Sequence, residues 1–134
     1  MVSQTARYAL HILGYLRQSR GGLVRGEEIA EATGIPSNYL SKILSQLRKH
    51  GIVDSRKGWG GGFALRESAL ERPIRDVLEI IDGVESTVRT DCVFGLPACD
   101  ANNPCPLHPY WEQIRRTHEE MLVQTRIGDL RTAG

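Results

Sequence analysis

The sequence predicts a mostly α-helical fold: a winged helix-turn-helix with a β-hairpin wing, then a cysteine loop and a long C-terminal helix. Three observations predict it. Two short segments with helical apolar spacing flank a Gly34-Ile35-Pro36 turn. Two short strand-like runs then enclose Gly58-Trp59-Gly60-Gly61-Gly62. Finally, the cations gather in this half. Residues 1–66 carry ten Lys/Arg against four acids, a net of +6, whereas residues 67–134 carry seven Arg against twelve acids, a net of −5. Such a division suggests that one end meets a polyanion, although charge alone leaves a chance imbalance of solvated faces open.

Each element has its own signal. Ala6, Ala9, Leu10, Ile12, Leu13 and Leu16 recur at helical spacing and predict a first helix over 3–18, closed by Ser19-Arg20-Gly21-Gly22. Residues 26–33 predict a second, short helix with acids in its first turn, stopped by Gly34. Ser37 reads as the N-cap of a third helix that runs to about His50, buries Leu40, Ile43, Leu44 and Leu47, and ends at Gly51. Residues 52–57 and 63–66 are the two strands of the wing, joined by the glycine loop. Pro73 occupies the first position of a fourth helix whose buried face is Ile74, Val77, Leu78 and Ile81, with Gly83 after its end. Residues 86–109 have loop composition, and a fifth helix follows over about 110–126. Its apolar positions are Tyr110, Trp111, Ile114, Met121 and Leu122, with His118 continuing the stripe. The domain reading is therefore 1–66 for the winged helix and 67–134 for the fourth helix, the loop and the fifth helix.

Composition narrows the function classes. At 134 residues, 40% hydrophobic and 25% charged, the chain suits one compact domain, or a small domain plus an added element, and not disorder. No apolar run approaches the ~20 residues needed to span a bilayer, and the opening residues carry no secretory signal. The expected compartment is the cytoplasm, where thiols stay reduced. There is no P-loop, dinucleotide fingerprint or Gly-x-Ser-x-Gly, so an enzyme is not expected.

Two constellations carry chemistry. The first is the predicted recognition helix and wing. Ser37, Asn38, Tyr39, Ser41 and Lys42 occupy the N-terminal part of the helix that a helix-turn-helix places in the major groove. Arg48 and Lys49 lie farther along and suit phosphate contacts. Arg56, Lys57, Gly58 and Trp59 form a cationic, glycine-rich wing suited to a minor groove. The competing reading is a helical hairpin with a solvated basic face, and for Trp59 a ring packed back on the domain. The second constellation is Cys92, Cys99, Cys105 and His108, spaced Cys-x6-Cys-x5-Cys-x2-His. Three thiolates and an imidazole on one proline-bounded loop suit a structural zinc or an iron–sulfur cluster. The gaps differ from the common Cys-x2-Cys zinc knuckle, which favours a cluster. Free thiols, or a disulfide with one cysteine left over, stay open. His11, His50 and His118 suit packing or solvated roles, and Glu27, Glu28 and Glu31 a solvated helix face.

Several runs together have a familiar form: Arg7-Tyr8-Ala9-Leu10, Gly34 through Leu44, Gly51-Ile52-Val53, Gly60-Gly61-Gly62, the three-cysteine loop, Trp111 and Ile127-Gly128-Asp129-Leu130. The chain thereby resembles the Rrf-type family of bacterial winged-helix transcription regulators over nearly its whole length. The resemblance implies a homodimer paired through the fifth helix, each wing meeting one half of a palindromic double-stranded operator. It also implies that Cys92, Cys99 and Cys105 hold an iron–sulfur cluster. NsrR-like members add an acid near the N-terminus, where this chain has Arg7, which cannot ligate. IscR-like members add a histidine soon after the third cysteine, the place of His108. This ligand pattern favours [2Fe–2S], with [4Fe–4S] as the other form. The first cysteine gap of six is one longer than the family's usual five, and Ser41-Lys42 stand where IscR-like members have Glu-Gln. The expected function is a DNA-binding regulator whose operator affinity answers to redox state, nitric oxide or iron supply. Neither a membrane nor a small-molecule substrate is expected as a partner. The rivals are a winged-helix regulator that senses through bare thiols or holds zinc, a protein-binding adaptor, and an enzyme or redox carrier that contains a winged helix.

Overall fold

The computed structural model describes residues 2–84, 102–103 and 105–131. Five helices and one hairpin appear in the order α1 (Gln4–Gln18), α2 (Gly26–Thr33), α3 (Ser37–Lys49), β1 (Val53–Arg56), β2 (Gly62–Leu65), α4 (Ile74–Asp82) and α5 (His108–Gln124). Short 3-10 turns at Glu67–Ala69 and Ile127–Asp129 precede α4 and follow α5.

Local chemistry explains the boundaries. The Ser3 hydroxyl accepts from the Ala6 N–H at 3.0 Å and so caps α1. It also donates to the Asp82 carboxylate at 2.6 Å, tying the start of α1 to the end of α4. Gly34 closes α2 in the left-handed conformation, at φ 72°. Gly51, at φ 76°, lets the chain reverse after α3. There the Ile52 N–H reaches the Leu47 carbonyl at 2.9 Å and the Gly51 N–H the Arg48 carbonyl at 3.1 Å. This paired closure seats Ile52 against the core beside Leu47.

Three helices differ at their ends from the sequence expectation. Pro36, not Ser37, is the N-cap of α3: it is extended, and its carbonyl takes the Leu40 N–H at 3.0 Å. Ser37 is thereby the first helical residue, and its hydroxyl makes no capping bond. Pro73 likewise caps α4 and does not begin it. Helix α5 starts two residues earlier than Tyr110, at His108, and ends at Gln124. Pro109 has no N–H to satisfy in a first turn, so the helix can include it.

The main core joins Ala9, Ile12, Leu13 and Leu16 of α1 to Ile29, to Leu40, Ile43, Leu44 and Leu47 of α3, and to Ile52, Val53 and Leu65 of the hairpin. Val77 and Ile127 complete it. A smaller cluster of Ala6, Ile74, Leu78 and Leu122 fastens α5 to α1 and α4. Ile81, expected to be buried, is half-buried and packs against both clusters. The hairpin is antiparallel, with Val53 opposite Leu65 and Arg56 opposite Gly62. Val24 adds a bridge to Phe63, its N–H bonding the Phe63 carbonyl at 2.8 Å.

That third edge crowds Gly62. Its φ is 148°, and a Cβ there would lie 2.5 Å from the Val24 carbonyl oxygen. Gly62→Ala should cost about 2 kcal/mol, read as a lowered midpoint in urea unfolding. An unchanged midpoint would mean that the wing is not fastened to Val24.

Candidate nucleic-acid interface and cysteine site

Helix α3 is divided cleanly. Leu40, Ile43, Leu44 and Leu47 face the core, which leaves Ser37, Asn38, Tyr39, Ser41, Lys42, Arg48 and Lys49 exposed on the outer side. Tyr39 is 49% exposed, and its ring meets Tyr8 of α1 edge-on at 6.2 Å between centroids and 62° between planes. Arg48 and Lys49 occupy the last turn, where a cation also favours the helix dipole.

The wing stands beside this helix. Arg56 ends β1, and Arg56, Lys57, Gly58 and Trp59 are all exposed. Between wing and α3 lies an open groove of about 410 Å³, lined by Ser37, Ser41, Arg48, Arg56 and Lys57 among others. The structure thus brings five of the predicted residues onto one cleft. Ser45 and Ser55 also line it, and both went unnamed in the sequence reading. For Ser45 the signal is in the sequence: positions 37, 41, 45 and 48 follow the helical repeat along the face that flanks the buried leucines. Arg66 carries the same charge but is pinned to Asp54 across the hairpin at 2.8 Å.

The cysteine site is described in part. Cys92 and Cys99 lie outside the described residues. Cys105 is a half-buried free thiol, and His108 opens α5 with its N–H on the Cys105 carbonyl at 3.0 Å. A soft thiol and an imidazole therefore stand one turn apart where the loop enters the helix, a donor pair that fits an iron–sulfur or zinc centre. Among the described residues, no three His, Cys, Asp or Glu side chains gather around a common point. Arg7, at the place where NsrR-like chains have an acid, is exposed on α1.

From this site α5 runs toward the winged helix. Leu107, Tyr110, Ile114 and Met121 form an exposed apolar stripe, Tyr110 being 72% exposed. Tyr110, Ile114 and Met121 line a shallow depression of about 500 Å³ together with Gln113, Thr117 and His118. On this helix only His118 and Leu122 are buried among the described residues. On the polar side, Arg115 donates to Glu112 and, with Arg116, holds that carboxyl below its ordinary range. Past α5, the Ile127 N–H bonds the Arg72 carbonyl and the Gly128 N–H the Leu70 carbonyl, both at 2.9 Å. The Arg72 guanidinium reaches the His50 carbonyl at the end of α3 at 3.0 Å, with Asp76 holding its Nε.

A helix-turn-helix, an outward-facing polar recognition helix and a cationic hairpin together define a winged-helix DNA-binding transcription regulator. The chain belongs to the Rrf2 family, whose description is "iron-dependent transcriptional regulator" and which matches residues 2–133. It is 36% identical over 130 residues to an Aquifex aeolicus protein assigned to the HTH-type transcriptional regulators, covering 96% of this chain and 89% of that one. It is 31% identical to the HTH-type transcriptional regulator IscR of Escherichia coli, over 96% of this chain and 78% of IscR. Among solved structures it resembles CymR, the global cysteine regulator of B. subtilis, with a TM-score of 0.74 and 25% identity over 96% of this chain and 94% of CymR. These relatives are regulators and not enzymes. Among the described residues, no helix is long and apolar enough to cross a membrane.

Proposed function

We propose that this chain is a cytoplasmic, homodimeric regulator that reads a double-stranded operator with residues 1–66 and adjusts its affinity through an iron–sulfur cluster held by residues 67–134. The observation that carries the DNA reading is the cleft where Ser37, Ser41 and Arg48 of α3 face Arg56 and Lys57 of the wing. Asn38, Tyr39 and Lys42 reach base edges from the exposed side of α3, and Lys49 contacts phosphate. The test is retention on promoter DNA that weakens with salt. No retention on promoter DNA even at low salt would favour a protein-binding adaptor.

Cys92, Cys99, Cys105 and His108 are the proposed cluster ligands. The IscR-like placement of His108 favours [2Fe–2S] over [4Fe–4S]. When bound, the cluster supplies a reversible oxidation state and a lability toward nitric oxide and iron shortage. The protein's own part is mechanical. Cys105 and His108 fix the start of α5, and the segment after α5 is bonded to Arg72, which holds the carbonyl of His50, the C-cap of α3. The placement of α5 therefore bears on the placement of the recognition helix. A dimer must match half-sites about 34 Å apart, so small shifts alter affinity.

The stripe of Tyr110, Ile114 and Met121 supports pairing with a second copy of α5. Ile114→Glu would bury a charge in that pairing and should weaken the dimer at least ~100-fold, visible as monomer in sedimentation at micromolar concentration. A variant that remains dimeric would remove α5 from the interface.

A second reading has its own support. Cys105 is a free thiol, and the structural neighbours include CymR of B. subtilis, a global cysteine regulator, and an oxidised form of Staphylococcus aureus CymR. Sensing through bare thiols, or a structural zinc on the same residues, would leave the anaerobic protein colourless.

A further inference from the structure

The wing ends in a built turn whose purpose the core does not explain. The Gly61 N–H donates to the Gly58 carbonyl at 3.0 Å, closing residues 58–61. Gly60, at φ 75°, supplies the left-handed third position that such a turn requires. Gly61 is buried beneath it, and a Cβ there would sit 2.1 Å from the Arg56 carbonyl oxygen. The turn therefore has a defined shape, and what it presents is Trp59, 101% exposed. An indole held wholly in water at the tip of a loop does nothing for folding.

We infer that Trp59 is a wedge for the minor groove of the operator, inserting its ring at a base step and thereby selecting a deformable one. This inference rests on the DNA reading above and sharpens it. The surroundings identify the occupant. Arg56 and Lys57 lead into the turn and line the cleft beside α3, and Arg48 lines the same cleft, so the approach is cationic. The nearest acid in the hairpin, Asp54, is engaged by Arg66 at 2.8 Å. A polyanion with an apolar, stackable interior meets both demands. Pyrimidine–purine steps unstack most readily, so TA or CA/TG should be preferred under the tip.

The test uses the full-length protein and duplexes that it recovers from a randomised pool. Trp59 and Trp111 are the only tryptophans, so Trp111→Phe leaves Trp59 as the sole reporter. The inference predicts that Trp59 emission becomes shielded from acrylamide on binding. It also predicts that 2-aminopurine placed at one step beneath the wing brightens, and that Trp59→Ala lowers affinity about 10-fold or more. Trp59→Phe should restore most of that loss. The melting temperature of Trp59→Ala should match the parent, because the ring contacts nothing that holds the fold. If Trp59→Ala binds within about twofold of the parent and the 2-aminopurine stays dark, the wedge is wrong. Arg56→Ala with Lys57→Ala separates the two levels: if it weakens binding while Trp59→Ala does not, only the wedge fails. If neither change matters, the reading of the wing as a DNA element fails with it.

Discussion

Replacing Arg56 and Lys57 together with alanine should lower operator affinity about 100-fold and flatten its dependence on salt. The proposed dimer would lose four cations, two from each wing. Exposed charge pairs contribute roughly 0.7 kcal/mol each, so four amount to nearly 3 kcal/mol. Each lost phosphate contact also retains about one counterion on the DNA, so the slope of log K against log salt should fall by about four. The fold should be untouched, since both side chains are exposed and, among the described residues, neither makes a side-chain hydrogen bond or ion pair. Filter binding or fluorescence anisotropy across a salt series checks both numbers. An affinity loss without a change of slope would mean that these residues hold the wing's shape and do not meet phosphate.

The second large effect concerns Cys105 and His108. Cys105→Ala should reduce iron and sulfide in the anaerobically isolated protein to background, because three protein ligands cannot retain the cluster against exchange. His108→Cys should behave differently, keeping iron and sulfide while lowering the reduction potential by on the order of 100 mV. Imidazole leaves the cluster less negative than thiolate does, which raises the potential. Full occupancy at an unaltered potential in His108→Cys would show that His108 is not a ligand. The conservative change therefore separates ligation from a merely structural role at the start of α5.

Much of the fold is legible in the sequence because its punctuation is strong. Gly34 and Gly51 sit where left-handed backbone ends α2 and α3, and the four buried positions of α3 are those its apolar spacing names. The misplaced starts of α3 and α4 share one cause. Pro36 and Pro73 take the cap positions because an extended proline still offers a carbonyl to the first helical turn, a role that side-chain preference assigns to Ser37. The candidate site is legible residue by residue but not as a surface. Periodicity marks Ser41 and Lys42 as outward, yet only the position of the hairpin beside α3 makes a cleft and adds Ser45 and Ser55 to it. Trp59 is the clearest case. Composition allows a ring packed back on the domain or one held out, and the geometry of the 58–61 turn decides for the latter. Arg72 is the opposite case: it carries no motif, and its link from α3 to the segment after α5 exists only in three dimensions.

The central claim is that the cysteine loop and His108 hold an iron–sulfur cluster that governs the DNA-reading half. It is tested most directly by isolating the protein without oxygen and measuring iron, acid-labile sulfide and zinc per protomer. The account predicts a red-brown protein with two irons and two sulfides per protomer in the [2Fe–2S] form, or four of each in the [4Fe–4S] form, and no zinc. A colourless protein with one zinc per protomer, or with no metal at all, would contradict it.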